Sequence, residues 1–169
     1  GKAYVYHGAP DGLRSTAAWD PSGEAAQDRY GTIVAGAGDV NGDGYADVAV
    51  TALAYGGNAG KVYVFHGGPS GVIGNASTPA WSASGEAPGD NFGGSVAGAG
   101  DVNNDGYADL VVSAYSYAGG SGKVYVFHGG PGGLSGTAAA PAWNTTGEAP
   151  NDFFGASAAG AGDVNGDGY

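Results

Sequence analysis

The sequence predicts an all-β protein built from β-propeller blades, each blade a four-stranded antiparallel sheet. Three observations lead to this prediction. Trp19, Trp81 and Trp143 are spaced by 62 and 62 residues, which indicates an internal repeat. Each repeat holds short β-branched and aromatic runs between Gly-rich turns, without a helical period of 3.6 residues. A repeat of this length with three or four short strands suits a propeller blade.

The strands within one repeat have different compositions. The run from Ser95 to Gly100 contains mostly small residues, which fits an innermost strand where blades converge and large side chains would clash. The run from Lys61 to Phe65 is apolar on both alternating faces, as expected for a strand that is covered on both sides. Each sheet of a propeller lies between two neighbours, so both of its faces lose contact with water. A globular β-sandwich is the alternative, but it would not need such strict repetition.

The chain holds about three repeats in a permuted frame. Residues 1–30 are expected to form the third and fourth strands of a first blade, residues 31–92 a second blade, and residues 93–154 a third blade. Residues 155–169 would hold the first strand and a truncated loop of a next blade. We expect an incomplete ring, because a closed ring usually needs at least four blades. The remaining blades of a longer chain, or other copies of this one, would complete the ring.

The composition excludes several kinds of partner. The net charge is −11, with 16 acidic and 5 basic residues, so nucleic acid and anionic membranes are repelled. No apolar run is long enough to insert across a bilayer. The absence of Cys excludes disulfides, thiolate catalysis and Cys-type zinc sites. The acidic excess favours cations, basic partners or neutral ligands.

A loop of the form Asp-Val-Asn-x-Asp-Gly-Tyr occurs three times between the first two predicted strands of a blade. Calcium takes six to eight oxygen ligands from carboxylates, amides and backbone carbonyls. Oxygens at loop positions 1, 3 and 5 would wrap one side of the ion, and Gly at position 6 permits the sharp reversal. The carbonyl at position 7 and the Asp at position 9 would complete the shell. The predicted ligands are Asp39, Asn41, Asp43, Tyr45 and Asp47 in the first loop, Asp101, Asn103, Asp105, Tyr107 and Asp109 in the second, and Asp163, Asn165, Asp167 and Tyr169 in the third.

These loops are not EF-hands, which need a Glu at position 12 and flanking helices. Position 12 is Val50 or Val112, in the middle of a predicted strand. A single copy could be an Asx turn that binds nothing, but three copies in register disfavour that alternative. Extracellular calcium modules bind with dissociation constants of about 10⁻⁴–10⁻³ M, and cytosolic calcium would leave such sites empty. We therefore predict structural calcium in a secreted or cell-surface protein.

Two other repeated sets of polar side chains have structural and functional interpretations. Paired carboxylates could perform acid–base chemistry, but their presence in every repeat favours a capped turn that joins blades, because an active site is normally unique. The histidines end an aromatic strand, and no partner for a catalytic triad or a metal cluster lies at a suitable spacing. The sets are Glu24/Asp28, Glu86/Asp90 and Glu148/Asp152, and His7, His66 and His128.

The repeated tryptophans allow two interpretations. Trp19, Trp81 and Trp143 lie on the predicted outer strand, where aromatic side chains would pack between blades. The alternative is a sugar-stacking platform on each blade, as in a lectin.

The repeats resemble FG-GAP repeats, the blades of the integrin α-subunit N-terminal β-propeller and of its bacterial relatives. The resemblance is carried by Tyr30-Gly31, Phe92-Gly93 and Phe154-Gly155, each followed by a small-residue run and a calcium loop. It covers essentially the whole chain. It implies a seven-bladed propeller, with calcium held in the hairpin loop between the first two strands of a blade. The chain departs from the family at Thr51-Ala52-Leu53 and Ser113-Ala114-Tyr115, where the family has Gly-Ala-Pro, so the loop after that strand is expected to differ.

Together these features predict a calcium-binding extracellular module of bacterial origin that serves adhesion or binds a protein or glycan ligand. A multivalent carbohydrate-binding lectin propeller is the alternative, and an enzyme-accessory propeller is a weaker one. The sequence shows no nucleophile with a base, no phosphate-cradling loop and no unique carboxylate pair, so we do not expect an enzyme.

Overall fold

The computed structural model describes residues 1–168 as an arrangement of β-sheets with almost no helix. A short hairpin near the N-terminus precedes two four-stranded sheets. The strands are β1 (Gly8–Ala9), β2 (Gly12–Leu13), β3 (Tyr30–Gly38), β4 (Asp47–Ala52), β5 (Lys61–Phe65), β6 (Trp81–Ser84), β7 (Phe92–Gly100), β8 (Asp109–Ala114), β9 (Lys123–Phe127) and β10 (Trp143–Thr146). Two short turns, α1 (Tyr55–Asn58) and α2 (Tyr117–Gly120), each contain two residues with left-handed backbone angles.

Each four-stranded sheet is an antiparallel meander in chain order. The first sheet has the order β3-β4-β5-β6, and the second has β7-β8-β9-β10. The registers repeat: Val50 pairs with Tyr63 in the first sheet, and Val112 pairs with Tyr125 in the second. The predicted propeller blades are thereby confirmed, and within residues 1–168 the two sheets do not close a ring.

The residues before β3 lie beside the first sheet. Their extended arms are joined by isolated bridges between Lys2 and Ser22 and between Val5 and Trp19, and the β1–β2 hairpin projects beyond them. Residues 155–168 follow the second sheet without forming a strand. They lie beside β7, where Ala158 N–H donates to Ser95 Oγ at 3.1 Å. No second strand is available among the described residues to pair with this segment.

The main hydrophobic core lies between the two complete sheets. Aromatic and aliphatic side chains from facing sheets interlock there, and burial of each large side chain stabilises the fold by about 1.5–3 kcal/mol. Its larger members are Val62, Val64, Trp81, Phe92, Leu110, Val112, Tyr125 and Phe127. A second cluster lies between the first sheet and residues 1–30, with Trp19, Tyr30, Tyr63 and Phe65 as its larger members. Both faces of the first sheet are therefore buried, as its apolar pattern predicts.

The innermost strands of neighbouring blades approach each other through their backbones. A Cβ at Gly98 of β7 would lie 3.2 Å from the carbonyl oxygen of Ala37 in β3. A Cβ at Gly160 would lie 2.8 Å from the carbonyl oxygen of Gly98. The small residues of these strands are thus required by the close packing of successive backbones.

The two ends of each blade differ. The β3–β4 and β7–β8 hairpin loops lie at one end, which we call the loop rim. The helical turns α1 and α2 lie at the opposite end, together with the linkers that enter the next blade. The linker before β7 is fixed there, since Asn91 N–H donates to the Asn58 carbonyl at 2.9 Å and Phe92 N–H to the Ala59 carbonyl at 2.9 Å.

Candidate metal centre

The first predicted calcium loop is organised around the Asp39 carboxylate. Its Oδ1 accepts hydrogen bonds from Gly42 N–H at 2.7 Å and Asp43 N–H at 3.1 Å. Its Oδ2 accepts from Gly44 N–H at 2.8 Å. Gly44 has a φ of +87°, which a residue with a side chain would adopt only with strain. The sequence therefore folds this segment into a tight turn with Asp39 at its centre.

The next two side chains of the loop are linked to each other. The Asn41 amide donates to Asp43 Oδ2 at 2.9 Å, and Tyr45 N–H donates to Asp43 Oδ1 at 2.9 Å. These two bonds, the Asn41 bond first, hold the pKa of the Asp43 carboxyl below its ordinary value. Asp43 is exposed and is therefore ionised at neutral pH, as a cation ligand must be.

The Asp at position 9 has a different role from the others. Asp47 is buried, and its two oxygens accept hydrogen bonds from Val40 N–H at 2.8 Å and Gly67 N–H at 2.8 Å. Burial raises the pKa of this carboxyl, and the two backbone donors oppose the rise. Asp47 thus ties the loop to the end of β5. A carboxylate has about four lone-pair sites, so these bonds leave it able to contact a cation as well.

The second loop repeats this arrangement. Asp101 accepts from Asp105 N–H at 3.0 Å and from Gly106 N–H at 2.7 Å. The Asn103 amide donates to Asp105 at 2.9 Å, and Tyr107 N–H donates to the same carboxylate at 3.0 Å.

The buried Asp109 of the second loop repeats the contacts of Asp47. Its oxygens accept from Val102 N–H at 2.8 Å and Gly129 N–H at 2.9 Å. The two loops, which differ only at Gly42 and Asn104, therefore fold alike.

The third loop is described up to residue 168. Asp163 accepts from Gly166 N–H at 2.6 Å and Gly168 N–H at 2.8 Å, and the Asn165 amide donates to Asp167 at 2.7 Å. The backbone donors, Gly168 first, hold the pKa of Asp163 below its ordinary value. Tyr169, the predicted carbonyl ligand, lies outside the described residues.

Neighbouring loops on the loop rim are in contact. The carbonyl oxygen of Asp39 accepts Ala108 N–H at 3.0 Å, which joins the first loop to the second. The ring of Tyr107 covers Gly42, and a Cβ there would lie 2.6 Å from the ring. Gly42 has a φ of +74°, and Asn104 at the equivalent position has +57°, so it is the ring of Tyr107 that excludes a side chain at Gly42. The sequence motif alone gave no sign of this contact.

The donor atoms of each loop fit a hard cation. Asp39, Asn41 and Asp43 present carboxylate and amide oxygens on one exposed turn, and such oxygens are the ligands that calcium prefers. In residues 1–168, no three His, Asp or Glu side chains converge closely enough to hold a metal unaided. In the first loop, Asp47 is bound to backbone N–H groups at the base of the turn, and position 3 is Asn41, which has an amide in place of a carboxylate. The Asn41 oxygen and the Tyr45 carbonyl would have to complete a calcium shell.

The repeated carboxylate pairs serve the linkers between blades. Asp90 is buried and accepts Ala87 N–H at 2.8 Å, and Asp152 accepts Ala149 N–H at 2.8 Å. These contacts are those expected of a capped turn that joins blades, the interpretation that the repetition of the carboxylates favours. Glu86 points elsewhere, to Lys123 of β9, whose ammonium lies 2.6 Å from Glu86 Oε1.

The lysines that meet these glutamates were missed at the sequence level. Lys123 is buried between the rings of Tyr117 and Tyr125, at 4.8 and 4.9 Å from their centroids. Lys61 pairs with Glu24 at 2.8 Å in the same way. The recurrence of Lys2, Lys61 and Lys123 at spacings of 59 and 62 residues was the available signal.

The histidines pack against loops of the following blade. A Cβ at Gly133 would lie 2.6 Å from His66 Nε2, and one at Gly71 would lie 2.8 Å from His7 Nε2. His66 Nε2 is buried without a hydrogen-bond partner among residues 1–168. These contacts fit a structural role.

Two of the three tryptophans lie between blades. Trp19 packs 4.9 Å from Phe65, and Trp81 packs 4.9 Å from Phe127, measured between ring centroids. Each is 9% exposed, which leaves no open face for a sugar ring. Trp143 is 52% exposed.

The fold and the loops define a class of repeat protein, in which β-propeller blades carry Asp-rich hairpin loops on one rim. Comparisons agree with this class. The family model described as FG-GAP repeat matches residues 30–65 and 92–127. The protein carries FG-GAP repeats and is integrin α-like, and the integrin α-subunits among its relatives are not enzymes.

Integrin α-subunits are among the similar proteins. The chain is 40% identical over 108 residues to mouse integrin alpha-IIb, covering 61% of this chain and 10% of that protein. It is 38% identical over 114 residues to Drosophila melanogaster integrin alpha-PS2, with 64% and 8% covered. It is 35% identical over 118 residues to Xenopus laevis integrin alpha-5, with 68% and 11% covered. The chain thus spans about a tenth of the length of the curated relatives it matches. Among the described residues, no helix has the length and apolar character needed to cross a bilayer.

Proposed function

We propose that the chain is a calcium-binding extracellular β-propeller module that serves adhesion or binds a protein or glycan ligand, with calcium in a structural role. The observation that carries the calcium part is the shared fold of the two complete loops. In each, the first Asp gathers backbone N–H groups and leaves hard oxygen donors on one turn. The similarity to integrin α-subunits supports the extracellular and adhesive part.

Calcium would stabilise the loop rim by neutralising carboxylates that repel one another. Asp39 and Asp43 are separated by one turn, and Asp47 adds a third charge beneath them. Like charges on one short turn repel one another. A bound cation would convert this repulsion into attraction. Because the loops contact each other, each ion would also support the neighbouring blade.

Thermal melting with and without calcium tests the metal. At a calcium concentration ten times the dissociation constant, each site stabilises the fold by about 1.4 kcal/mol, or about 3–6 °C in melting temperature. Asp43→Ala and Asp105→Ala should each remove one site's share of the shift. Asp11→Ala removes the same charge from an exposed residue outside the loops and serves as the matched control. An equal melting temperature in calcium and in EDTA would refute the calcium site.

A binding experiment tests the ligand part. The chain, coated on a surface, should support calcium-dependent attachment of cells or of an extracellular matrix protein, and EDTA should abolish it. A glycan array examines the lectin alternative, for which Trp143 is the exposed tryptophan. Glycan binding that is lost in Trp143→Ala, without cell attachment, would favour the lectin over the adhesion module.

A further inference from the structure

One peptide group belongs to both complete calcium loops. The N–H of the Tyr107–Ala108 peptide donates to the main-chain carbonyl of Asp39 at 3.0 Å. The carbonyl of the same peptide belongs to Tyr107 and is the predicted position-7 ligand of the second loop. The N–H and C=O of a planar trans peptide point in opposite directions, so the bond to Asp39 sets the direction of the Tyr107 carbonyl. The first loop therefore orients a predicted calcium ligand of the second.

A second connection joins the buried carboxylates at position 9 of the two loops. Val40 N–H donates to Asp47 Oδ2 at 2.8 Å, and the Val40 carbonyl accepts Gly130 N–H at 3.0 Å. The adjacent Gly129 N–H donates to Asp109 Oδ1 at 2.9 Å. Val40 is fully buried, so water does not compete for this connection. Movement of either carboxylate therefore displaces backbone that holds the other.

The ring of Tyr107 makes a third connection, with Gly42 of the first loop. Gly42 occupies loop position 4, between the predicted ligands Asn41 and Asp43. A Cβ at Gly42 would lie 2.6 Å from the ring. Asn104 fills this position in the second loop with a φ of +57°, so the turn itself accepts a side chain. The glycine at position 42 thus serves the contact between the loops.

We propose that calcium binds to the two complete loops with positive cooperativity, and that the Tyr107–Ala108 peptide and the Tyr107 ring couple the two sites. This inference rests on the calcium binding proposed above. Binding at the first loop orders the backbone around Asp39, which holds the acceptor for the Ala108 N–H in place. The second loop then loses less conformational freedom when it binds, and the same holds in the reverse order. Mutual repulsion of the two cations opposes the coupling and is weakened by salt.

Calcium titration followed by NMR of backbone amides tests the coupling, because Gly44 and Gly106 report on the two loops separately. The titration uses about 0.15 M salt and an Asp163→Ala background, which removes the third loop. In this background, Asp105→Ala leaves only the first site and Asp43→Ala leaves only the second. Each of these chains gives the affinity of one site alone. With both sites present, the second calcium should bind about fivefold or more tightly than these affinities predict.

Two outcomes of the titration overturn the proposal in distinguishable ways. A two-site curve equal to the sum of the single-site curves would refute the coupling and leave the calcium sites intact. Absence of binding in every chain would refute the sites themselves, and the coupling with them.

Exchanging the residues at loop position 4 tests the role of the ring. Gly42→Asn gives the first loop the sequence of the second and places a side chain against Tyr107. Both loops should still bind calcium, but the coupling factor should fall toward one. Asn104→Gly is the matched control, because it leaves both residues of the Gly42–Tyr107 contact unchanged and should keep the wild-type coupling. Circular dichroism melting in EDTA establishes that each variant is folded, and equal coupling in the two variants would overturn the role of Tyr107.

Hydrogen exchange supplies a readout that is independent of the binding curves. In Asp105→Ala only the first loop binds, yet calcium should slow exchange of the Ala108 and Gly130 amides, whose acceptors are carbonyls of the first loop. The Ala87 amide, which is bonded within the linker at the other end of the blade, is the internal control and should exchange at an unchanged rate. Protection that stays confined to the first loop would overturn the proposal.

Discussion

The ammonium of Lys123 lies 2.6 Å from the carboxylate of Glu86, and the rings of Tyr117 and Tyr125 enclose the ammonium. Glu86 belongs to the linker that leads into β7, whereas Lys123 begins β9 of the same blade. The pair therefore fastens the entry of a blade to its third strand. Because Lys123 is buried, replacing only one partner would leave an uncompensated charge, which is costly in a low dielectric.

Two tyrosines at equivalent positions should respond oppositely to loss of the hydroxyl group. Tyr125 OH donates to Glu86 Oε1 at 3.0 Å, whereas Tyr63 OH is buried without a hydrogen-bond partner in residues 1–168. Tyr63→Phe removes an unsatisfied group and should stabilise the fold by about 1 kcal/mol, whereas Tyr125→Phe should destabilise it by about 1 kcal/mol. Urea unfolding at pH 7 measures both, and equal effects of the two changes would contradict the assignment.

Stability should fall at alkaline pH because of the same tyrosines. Burial raises the pKa of Tyr63 far above its ordinary value of about 10. Above pH ~10 the unfolded chain releases protons that the folded chain retains, so stability decreases as the pH rises. Tyr63→Phe removes this contribution and should move the midpoint of alkaline unfolding upward, as seen by circular dichroism. An unchanged midpoint would show that other groups control the transition.

Phe153 adopts a backbone conformation that a bulky residue disfavours. Its φ is +50°, and the equivalent Asn91 has +56°. Asn enters this left-handed region more readily than Phe, and strain of this kind costs about 1–3 kcal/mol. We expect Phe153→Asn to raise the free energy of unfolding by about 1 kcal/mol.

The reverse exchange, Asn91→Phe, should lower stability. It also breaks the hydrogen bond from the Asn91 amide to Ser116 Oγ at 2.9 Å, so its effect should be the larger of the two. Thermal melting in EDTA compares the variants without any contribution from metal. Destabilisation by Phe153→Asn would mean that the ring makes contacts worth more than the backbone strain.

Replacing a buried and an exposed loop carboxylate should affect stability differently in calcium and in EDTA. Asp47→Ala leaves the Val40 and Gly67 N–H groups without their acceptor, so it should cost about 3 kcal/mol whether or not calcium is present. Asp43 is exposed, and Asp43→Ala should change stability in EDTA much less than Asp47→Ala does. In calcium, Asp43→Ala should lose the metal contribution as well. Urea unfolding of both variants in calcium and in EDTA gives the comparison, and an Asp47 effect that vanished in EDTA would refute the structural role.

Equivalent glycines on two inner strands should differ in their tolerance of alanine. Gly98→Ala places a Cβ 3.2 Å from the Ala37 carbonyl oxygen and should cost about 1–3 kcal/mol. Gly36 occupies the same repeat position, but nothing lies within 4 Å of a Cβ there. Gly36→Ala should therefore be neutral or slightly stabilising. Chemical denaturation of the two variants measures the difference, and equal costs would mean that the strand itself, not its neighbour, excludes a side chain.

Much of the fold could be predicted from the sequence because its physical causes are local or periodic. The runs around Lys61–Phe65 and Ser95–Gly100 indicated a doubly covered strand and an inner strand, and both predictions are confirmed. The loop motif predicted a tight turn, but not that Asp47 would be buried against Gly67. That contact joins positions 20 residues apart, and no local pattern encodes it.

The pairing of Lys123 with Glu86 was not predicted either, because it depends on how the linker folds back over the sheet. Calcium ligation by the three loops stays a prediction. So do the blade boundaries at residues 30, 92 and 154.

The backbone contacts between inner strands have a consequence for how such a protein grows. At Gly98 and Gly160 the meeting surfaces are carbonyl groups and Cα atoms, which every repeat with glycine at this position possesses. Unequal recombination that inserts one more copy of the repeating unit would therefore create a new contact between inner strands that already fits. The outer Trp81–Phe127 contact then fixes how the two blades are aligned. Gene duplication can thus lengthen the array without any new side-chain design at its centre.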